Sequence, residues 1–162
     1  GAWDWLVGEA GVEPGRIVIW GHSLGGAVAA HLAADKSSAP EGRKPAALVL
    51  DAAFTSVPAM GARLYPFLPV RWLSRFRYNT LEYVRRVTCP VLVMHGPADV
   101  VVPESMGREL FEAASEPKLF LATEGDHDSG LLLADTSKLW EIRDFLLRSQ
   151  NETQGESHDR GA

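Results

Sequence analysis

A single cysteine, Cys89, stands in a chain of 162 residues, so no disulfide can close within it. Beside Pro90 at the start of an apolar run, it reads as a small buried thiol, and it leaves the redox compartment open. There is no His-x-x-x-His spacing and no cysteine pair, which argues against a zinc site, so neither metal nor cofactor is expected. No stretch is basic enough for long enough to read a polyanion, and the net charge is −5, so nucleic acid is not an expected partner. No run reaches the roughly 18 apolar residues needed to cross a bilayer. The first residues also lack the charged-then-apolar pattern of a secretory signal. This stretch is expected to be cytoplasmic, with a signal or anchor upstream of Gly1 left open. An initiator methionine is missing too: the chain opens Gly1-Ala2-Trp3, as a piece of a longer protein would. Oligomeric state leaves no trace in the sequence.

What is present suits one domain, with 46% hydrophobic residues and enough chain to bury a core. Its organising stretch is Arg16-Ile17-Val18-Ile19-Trp20-Gly21-His22-Ser23-Leu24-Gly25-Gly26-Ala27-Val28-Ala29-Ala30. Five residues of strand character enter a tight turn around a serine, and an alanine-rich helical run leaves it. Gly21 and Gly25 flank Ser23 in a Gly-x-Ser-x-Gly elbow, in which a strained serine projects its hydroxyl out of the turn. A side chain at either flanking glycine is expected to collide with the adjoining helix or strand. The bare pattern arises by chance in roughly 5% of chains this long, given glycine at about 7% of residues. The strand before it and the helix after it supply the specificity. No lysine follows as it would in a phosphate-binding loop.

In chain order, Trp3, Leu6 and Val7 fall at helical spacing, so residues 2–9 read as the last turns of an amphipathic helix. Residues 16–20 form the first strand, apolar nearly throughout, as burial on both faces requires. The elbow helix runs to about Ala34, and residues 35–44 form a loop rich in serine, proline and glycine. Ala46 to Leu50 make a second strand ending at Asp51. Residues 57–86 read as a short helical insert cut by Pro58, Pro66 and Pro69. There aromatics and cations alternate across Tyr65, Phe67, Arg71, Trp72, Arg75, Phe76, Arg77 and Tyr78. Either the aromatics pack the insert onto the body with the arginines solvated, or the insert is a lid that guides an acyl chain or touches a membrane surface. Val91 to His95 are a third strand. Pro103 opens the next helix at its first position, with Met106, Leu110, Phe111 and Ala114 on its inner face. Leu119 to Ala122 are a fourth strand, followed by a loop from Glu124 to Gly130. A last helix carries Leu139, Trp140, Ile142, Phe145 and Leu146, and residues 149–162 read as a disordered polar tail. The domain thus spans residues 1–148. Strands alternating with helices imply an α/β fold with a mostly parallel sheet and helices on both faces.

In such a sheet, sites form in the loops beyond the carboxyl ends of the strands. Ser23, Asp99 and His127 each follow a different strand at that end. A serine hydroxyl needs a base to take its proton, and histidine serves best when a carboxylate fixes its tautomer. The order serine, aspartate, histidine is that of the α/β-hydrolase triad. Asp51 also ends a strand and is a competing acid, with a structural hydrogen-bonding role as its other reading. Asp126 and Asp128 flank His127 and suit loop hydrogen bonds. His22 is expected to pack beside the elbow and His95 to shape the acid-bearing loop. His31 lies on a helix and His158 in the tail.

The segments Gly21-His22-Ser23-Leu24-Gly25-Gly26, His95-Gly96-Pro97-Ala98-Asp99-Val100-Val101-Val102-Pro103 and Gly125-Asp126-His127 resemble the nucleophile, acid and histidine motifs of the α/β-hydrolase superfamily. They most resemble its small-cap, serine-aminopeptidase/lysophospholipase-like branch. The likeness spans about Trp3 to Leu147 and corresponds to the C-terminal portion of that fold. It implies Ser23 as nucleophile, His127 as general base then acid, Asp99 as orienting acid, and the Leu24 amide as one oxyanion donor. Members of the superfamily carry further strands before the elbow, and a loop there supplies the second oxyanion amide. At about 30 residues per βαβ unit, roughly 100 such residues are not in this chain, and no residue here can be assigned to that second donor. The loss of one donor typically costs about 10² to 10³ in turnover, and the first strand becomes an open edge. The expected function is a cofactor-free serine hydrolase that cleaves an ester, thioester or amide of an acyl substrate through an acyl-enzyme. Two other readings are a hydrolase-fold binding or scaffold protein, and an incomplete domain that is inactive alone.

Overall fold

A computed structural model describes residues 1–39, 43–69, 77–129 and 136–158, with side chains up to residue 149. Four strands, β1 (Val18–His22), β2 (Ala47–Asp51), β3 (Val91–His95) and β4 (Lys118–Ala122), form one parallel sheet in the order β1-β2-β3-β4. Around them lie α1 (Ala2–Gly8), α2 (Leu24–Lys36), α3 (Val57–Leu64), α4 (Thr80–Val84), α5 (Glu104–Ala113) and α6 (Thr136–His158). All three pairings are parallel, with His22 opposite Asp51, Asp51 opposite Met94, and His95 opposite Ala122. The carboxyl ends of the strands are therefore level, which puts their following loops along one edge.

The two-residue period of the strands sorts their side chains into two cores. Leu48, Leu50, Val91 and Val93 face the side covered by α2, α4 and α5, against Ala29, Ala30, Ala33, Val84 and Leu110. Val49, Leu92, Met94 and Leu121 face the other side, where Ile142, Phe145 and Leu146 of α6 pack. β2 and β3 are buried at every position, which is why they read as unbroken apolar runs. The alanines of α2 let that helix lie close on the sheet, and Gly26 closes the gap further: a Cβ there would stand 2.6 Å from Cβ of Ala53.

Several boundaries differ from the sequence reading. β1 starts and ends two residues later, because Gly21 and His22 pair with Leu50 and Asp51 before the chain turns. Pro103 caps α5 rather than opening it, since its ψ of 140° is extended. On the last helix Leu139 and Trp140 are exposed, while Ile142, Phe145 and Leu146 make the inner stripe. The helix also continues through residues 149–158, where a disordered tail was expected. A helix already docked by its apolar stripe needs no new nucleus to propagate into good helix formers such as Gln150, Glu152 and Gln154. Among the described residues no helix is long and apolar enough to cross a membrane.

The insert divides in two. Val57, Ala59 and Met60 of α3 pack on Phe54, Val102 and Met106, and α4 joins the main core through Val84. Tyr65 and Phe67 do not pack the insert onto the body, since they are 52% and 77% exposed and meet each other edge to face. Aliphatic side chains anchor α3 instead. Arg71, Trp72, Arg75 and Phe76 lie outside the described residues.

Candidate active site

Ser23 stands between the end of β1 and the start of α2, with φ 51° and ψ −119°. That left-handed backbone costs an L-residue about 1–3 kcal/mol and persists only where its surroundings hold it. Here the Ser23 amide donates to the Asp51 carbonyl at 2.8 Å, and the Ser23 carbonyl accepts from Gly26 at 3.0 Å. Gly21 is required by space, because a Cβ on it would sit on the Gly25 carbonyl. Gly25 is different from expectation, since a Cβ there meets nothing within 4 Å. One glycine of the elbow makes room for the other's backbone, and the collision predicted at both positions exists at Gly21 alone.

His127 lies in the loop after β4. Its Nε2 is 2.9 Å from Ser23 Oγ and its Nδ1 is 2.7 Å from Asp99 Oδ2. A carboxylate can only accept, so Nδ1 carries the proton and the Nε2 lone pair faces the serine hydroxyl. Ser23, Asp99 and His127, from three separate loops, thus form one continuous chain of hydrogen bonds.

Asp99 is held on both oxygens. Oδ1 accepts from the amides of Val101 at 2.9 Å and Val102 at 2.8 Å, in a tight turn following β3. Oδ2 accepts from His127 and lies 3.3 Å from His95 Nε2. His95 is completely buried, and its Nε2–H donates to the Val102 carbonyl at 2.9 Å. Among the described residues its Nδ1 has no hydrogen-bond partner, and it is capped by Gly107 of α5, where any Cβ would press on the imidazole. The geometry suits the tautomer with its proton on Nε2, since a proton on Nδ1 would be a buried donor with no partner among the described residues. His95 therefore closes the acid-bearing turn from beneath, as the sequence suggested, while the part played by Gly107 carried no local signal.

Asp51 is buried at the end of β2 and does not reach the Nδ1 position that Asp99 fills. Burial raises its pKa. Asp126 turns inward on its own loop, its Oδ1 accepting from the Ser129 hydroxyl at 2.6 Å and from the amides of Asp128 and Ser129. The Leu24 amide opens α2 one residue past Ser23, and as the first helical N–H it has no carbonyl one turn back to satisfy it. His22 Nε2 is 2.9 Å from the His127 carbonyl. His31 stacks at a tilt on Tyr83, away from the site, and Cys89 is buried with its thiol pushed up to about 12 by desolvation. Among the described residues, His22, His127 and Asp128 each bring a donor atom within 4.8 Å of the others. Both nitrogens of His127 and Nε2 of His22 are already engaged, so a metal there would have to displace these hydrogen bonds.

A parallel sheet flanked by helices, with a serine elbow and an aspartate–histidine pair at its carboxyl edge, defines the α/β-hydrolase class. The chain belongs to that superfamily: residues 2–139 match the family described as alpha/beta hydrolase domain. It is 42% identical over 146 residues to an uncharacterized protein of Mycobacterium tuberculosis, covering 90% of this chain and 50% of that protein. It is 33% identical over 130 residues to lysophosphatidylserine lipase ABHD12 of Danio rerio, covering 72% of this chain and 33% of that protein. The chain thus spans half the length of the first relative and a third of the second. Among solved structures, the esterase domain of a Rhodothermus marinus protein shares the fold at TM-score 0.57 and 24% identity, over 94% of this chain and 63% of that one. Acetyl xylan esterase 1 from Thermoanaerobacterium sp. does so at TM-score 0.65 and 15% identity, over 91% and 50%.

Proposed function

We propose that this chain carries the nucleophile, base and acid of a serine hydrolase that cleaves an ester, thioester or amide through an acyl-enzyme. The reading rests on the 2.9 Å approach of Ser23 Oγ to His127 Nε2, with Asp99 on the opposite ring nitrogen at 2.7 Å. As Ser23 Oγ bonds to the substrate carbonyl carbon, its proton passes to His127 Nε2, and Asp99 stabilises the imidazolium. The carbonyl oxygen becomes an oxyanion that accepts from the Leu24 amide. His127 then returns the proton to the departing alcohol, thiol or amine. Water enters by the same route in reverse and frees Ser23. No metal or cofactor takes part.

For the substrate, single-chain acyl esters of the lysophospholipid kind head the list, drawing on the name of the Danio rerio relative. The exposed Leu64, Tyr65, Phe67 and Leu68 at the end of α3 suit an entrance wall for an acyl chain, or a contact with the membrane surface that delivers it. The test is a fluorophosphonate reaction followed by intact mass, on the chain and on Ser23→Ala. One adduct, absent from the variant, is the expected result; an adduct retained by Ser23→Ala refutes the nucleophile. A second reading is favoured by the share of its relatives that the chain spans: the stretch binds or scaffolds, or works only with further chain that completes the oxyanion hole. A folded wild-type chain that takes no adduct is its signature.

A further inference from the structure

β1 and β4 are the two outer strands of the sheet, three strand spacings or about 14 Å apart. Ser23 follows the first and His127 the second, so the loop after β4 must cross the ends of β3 and β2 to bring its imidazole to the serine. The side chain of His127 is held by Ser23 and Asp99, but a loop of this reach also needs its main chain fixed. Its start is tied by the Thr123 amide to the His95 carbonyl at 3.0 Å, and Asp126 folds its middle locally. Among the described residues one hydrogen bond joins the main chain of residues 124–129 to β1. It runs from His22, which shares the face of β1 with Val18, to the His127 carbonyl at 2.9 Å. A carbonyl only accepts, so His22 Nε2 carries a proton and donates. The two rings stand 5.0 Å apart at 49°, side by side rather than stacked flat.

We infer that His22 is a positioning residue that latches the histidine loop to the nucleophile strand, setting the height of the His127 ring over Ser23. The inference rests on the proposed serine-hydrolase reading for its kinetic consequence, though not for its structural one. Placing the latch next to the nucleophile ties the base to the same rigid strand that aims Ser23, so one displacement cannot separate them. Loss of the latch leaves substrate contacts untouched and degrades the Ser23–His127 alignment, which makes it a kcat effect with KM unchanged.

The test compares His22→Gln, whose amide N–H reaches about as far as Nε2, with His22→Phe and His22→Ala, which have no donor. Folding is checked by thermal melting, and His22→Ala guards against a clash peculiar to phenylalanine. Two readouts are taken: the rate of fluorophosphonate labelling, and the ring ¹⁵N shifts of His127, in which the unprotonated Nε2 reports the strength of the bond from Ser23. We expect the donor-free variants to label on the order of 10²-fold more slowly, as misplacement of a catalytic group by about 1 Å does, and His22→Gln to stay within a few-fold of wild type. The shift of His127 Nε2 should move in the donor-free variants as the bond from Ser23 weakens, and should match wild type in His22→Gln, while Asp99 keeps the proton on Nδ1 throughout. Labelling and shifts unchanged in His22→Phe and His22→Ala overturn the latch, as does His22→Gln falling as low as they do. If the wild-type chain takes no label at all, the hydrolase reading fails by itself. The ¹⁵N shifts then still decide the latch: restored by glutamine they support it, indifferent to the donor they refute it.

Discussion

Replacing Asp99 with asparagine tests the acid by exchanging one oxygen for an NH2. In the wild type Oδ1 accepts from two amides and Oδ2 from His127, with the His95 Nε2–H 3.3 Å away. Asparagine has one acceptor and one NH2, so it must choose. With its NH2 toward Val101 and Val102, donors face one another and both amides lose their partner, at about 1–3 kcal/mol for the buried one at Val102 and less for Val101. With its oxygen toward those amides, both bonds survive and the NH2 meets His127. His95 then still has the Val102 carbonyl at 2.9 Å. The second arrangement wins, and its NH2 donates a hydrogen bond to Nδ1 of His127, which must then accept, so the ring proton sits on Nε2. Nε2 then donates to Ser23 instead of accepting from it. The fold should be preserved and the chemistry lost: labelling by fluorophosphonate and turnover of an activated ester should fall by about 10⁴, near 5.5 kcal/mol of transition-state stabilisation. The melting temperature should change little. A variant that labels within tenfold of wild type would sink the assignment of Asp99, and if Asp51→Asn showed the large loss instead, the acid would be Asp51.

Asp51→Asn is expected to do the opposite, raising stability and leaving labelling near wild type. Burial lifts the Asp51 pKa above its unfolded value, so the folded state holds its proton over a wider range. Stability therefore falls as pH rises from the ordinary aspartate range, about 3.9, through the folded value, and the penalty is complete above it. Melting temperatures of variant and wild type should coincide near pH 3 and diverge in the variant's favour at pH 7; a loss of equal size at both would refute this. The elbow glycines offer a contrast within one motif. Gly21→Ala drives a Cβ onto the Gly25 carbonyl and should destabilise by 1–3 kcal/mol or more, as overpacking does, to about that order. Gly25→Ala enters open space inside α2 and should stabilise this chain by up to about 1 kcal/mol on helix propensity; chemical denaturation of both reads the difference, and equal losses would show that Gly25 is also packed.

Much of the fold could be read along the chain because its signals are local. The apolar runs of β2 and β3 follow from burial on both faces, and the abrupt change from strand to alanine-rich helix around Ser23 follows from the elbow's own backbone demands. The order of Ser23, Asp99 and His127, each just past a strand, was legible for the same reason: a parallel sheet sends every strand's carboxyl end to one edge. Past Ser149 composition describes the isolated segment, whereas the helix that runs on to His158 grows from a docked one.

The remainder depended on residues distant in sequence. Whether Asp51 or Asp99 meets His127 is invisible to spacing, since one ends a strand and the other follows one closely; the turn at Val101 and Val102 brings the Asp99 carboxylate to the imidazole. The same holds for His95, whose Nδ1 is covered by Gly107 of α5, and for His22, whose partner is the carbonyl of His127 in the loop that arrives from β4. That one elbow glycine is obligatory and the other open is also a matter of which atoms lie opposite. Local propensity and period specify strands, helices and turns, because they act within a few residues; contacts across the sheet depend on how those pieces stack, and only packing could say which polar groups meet.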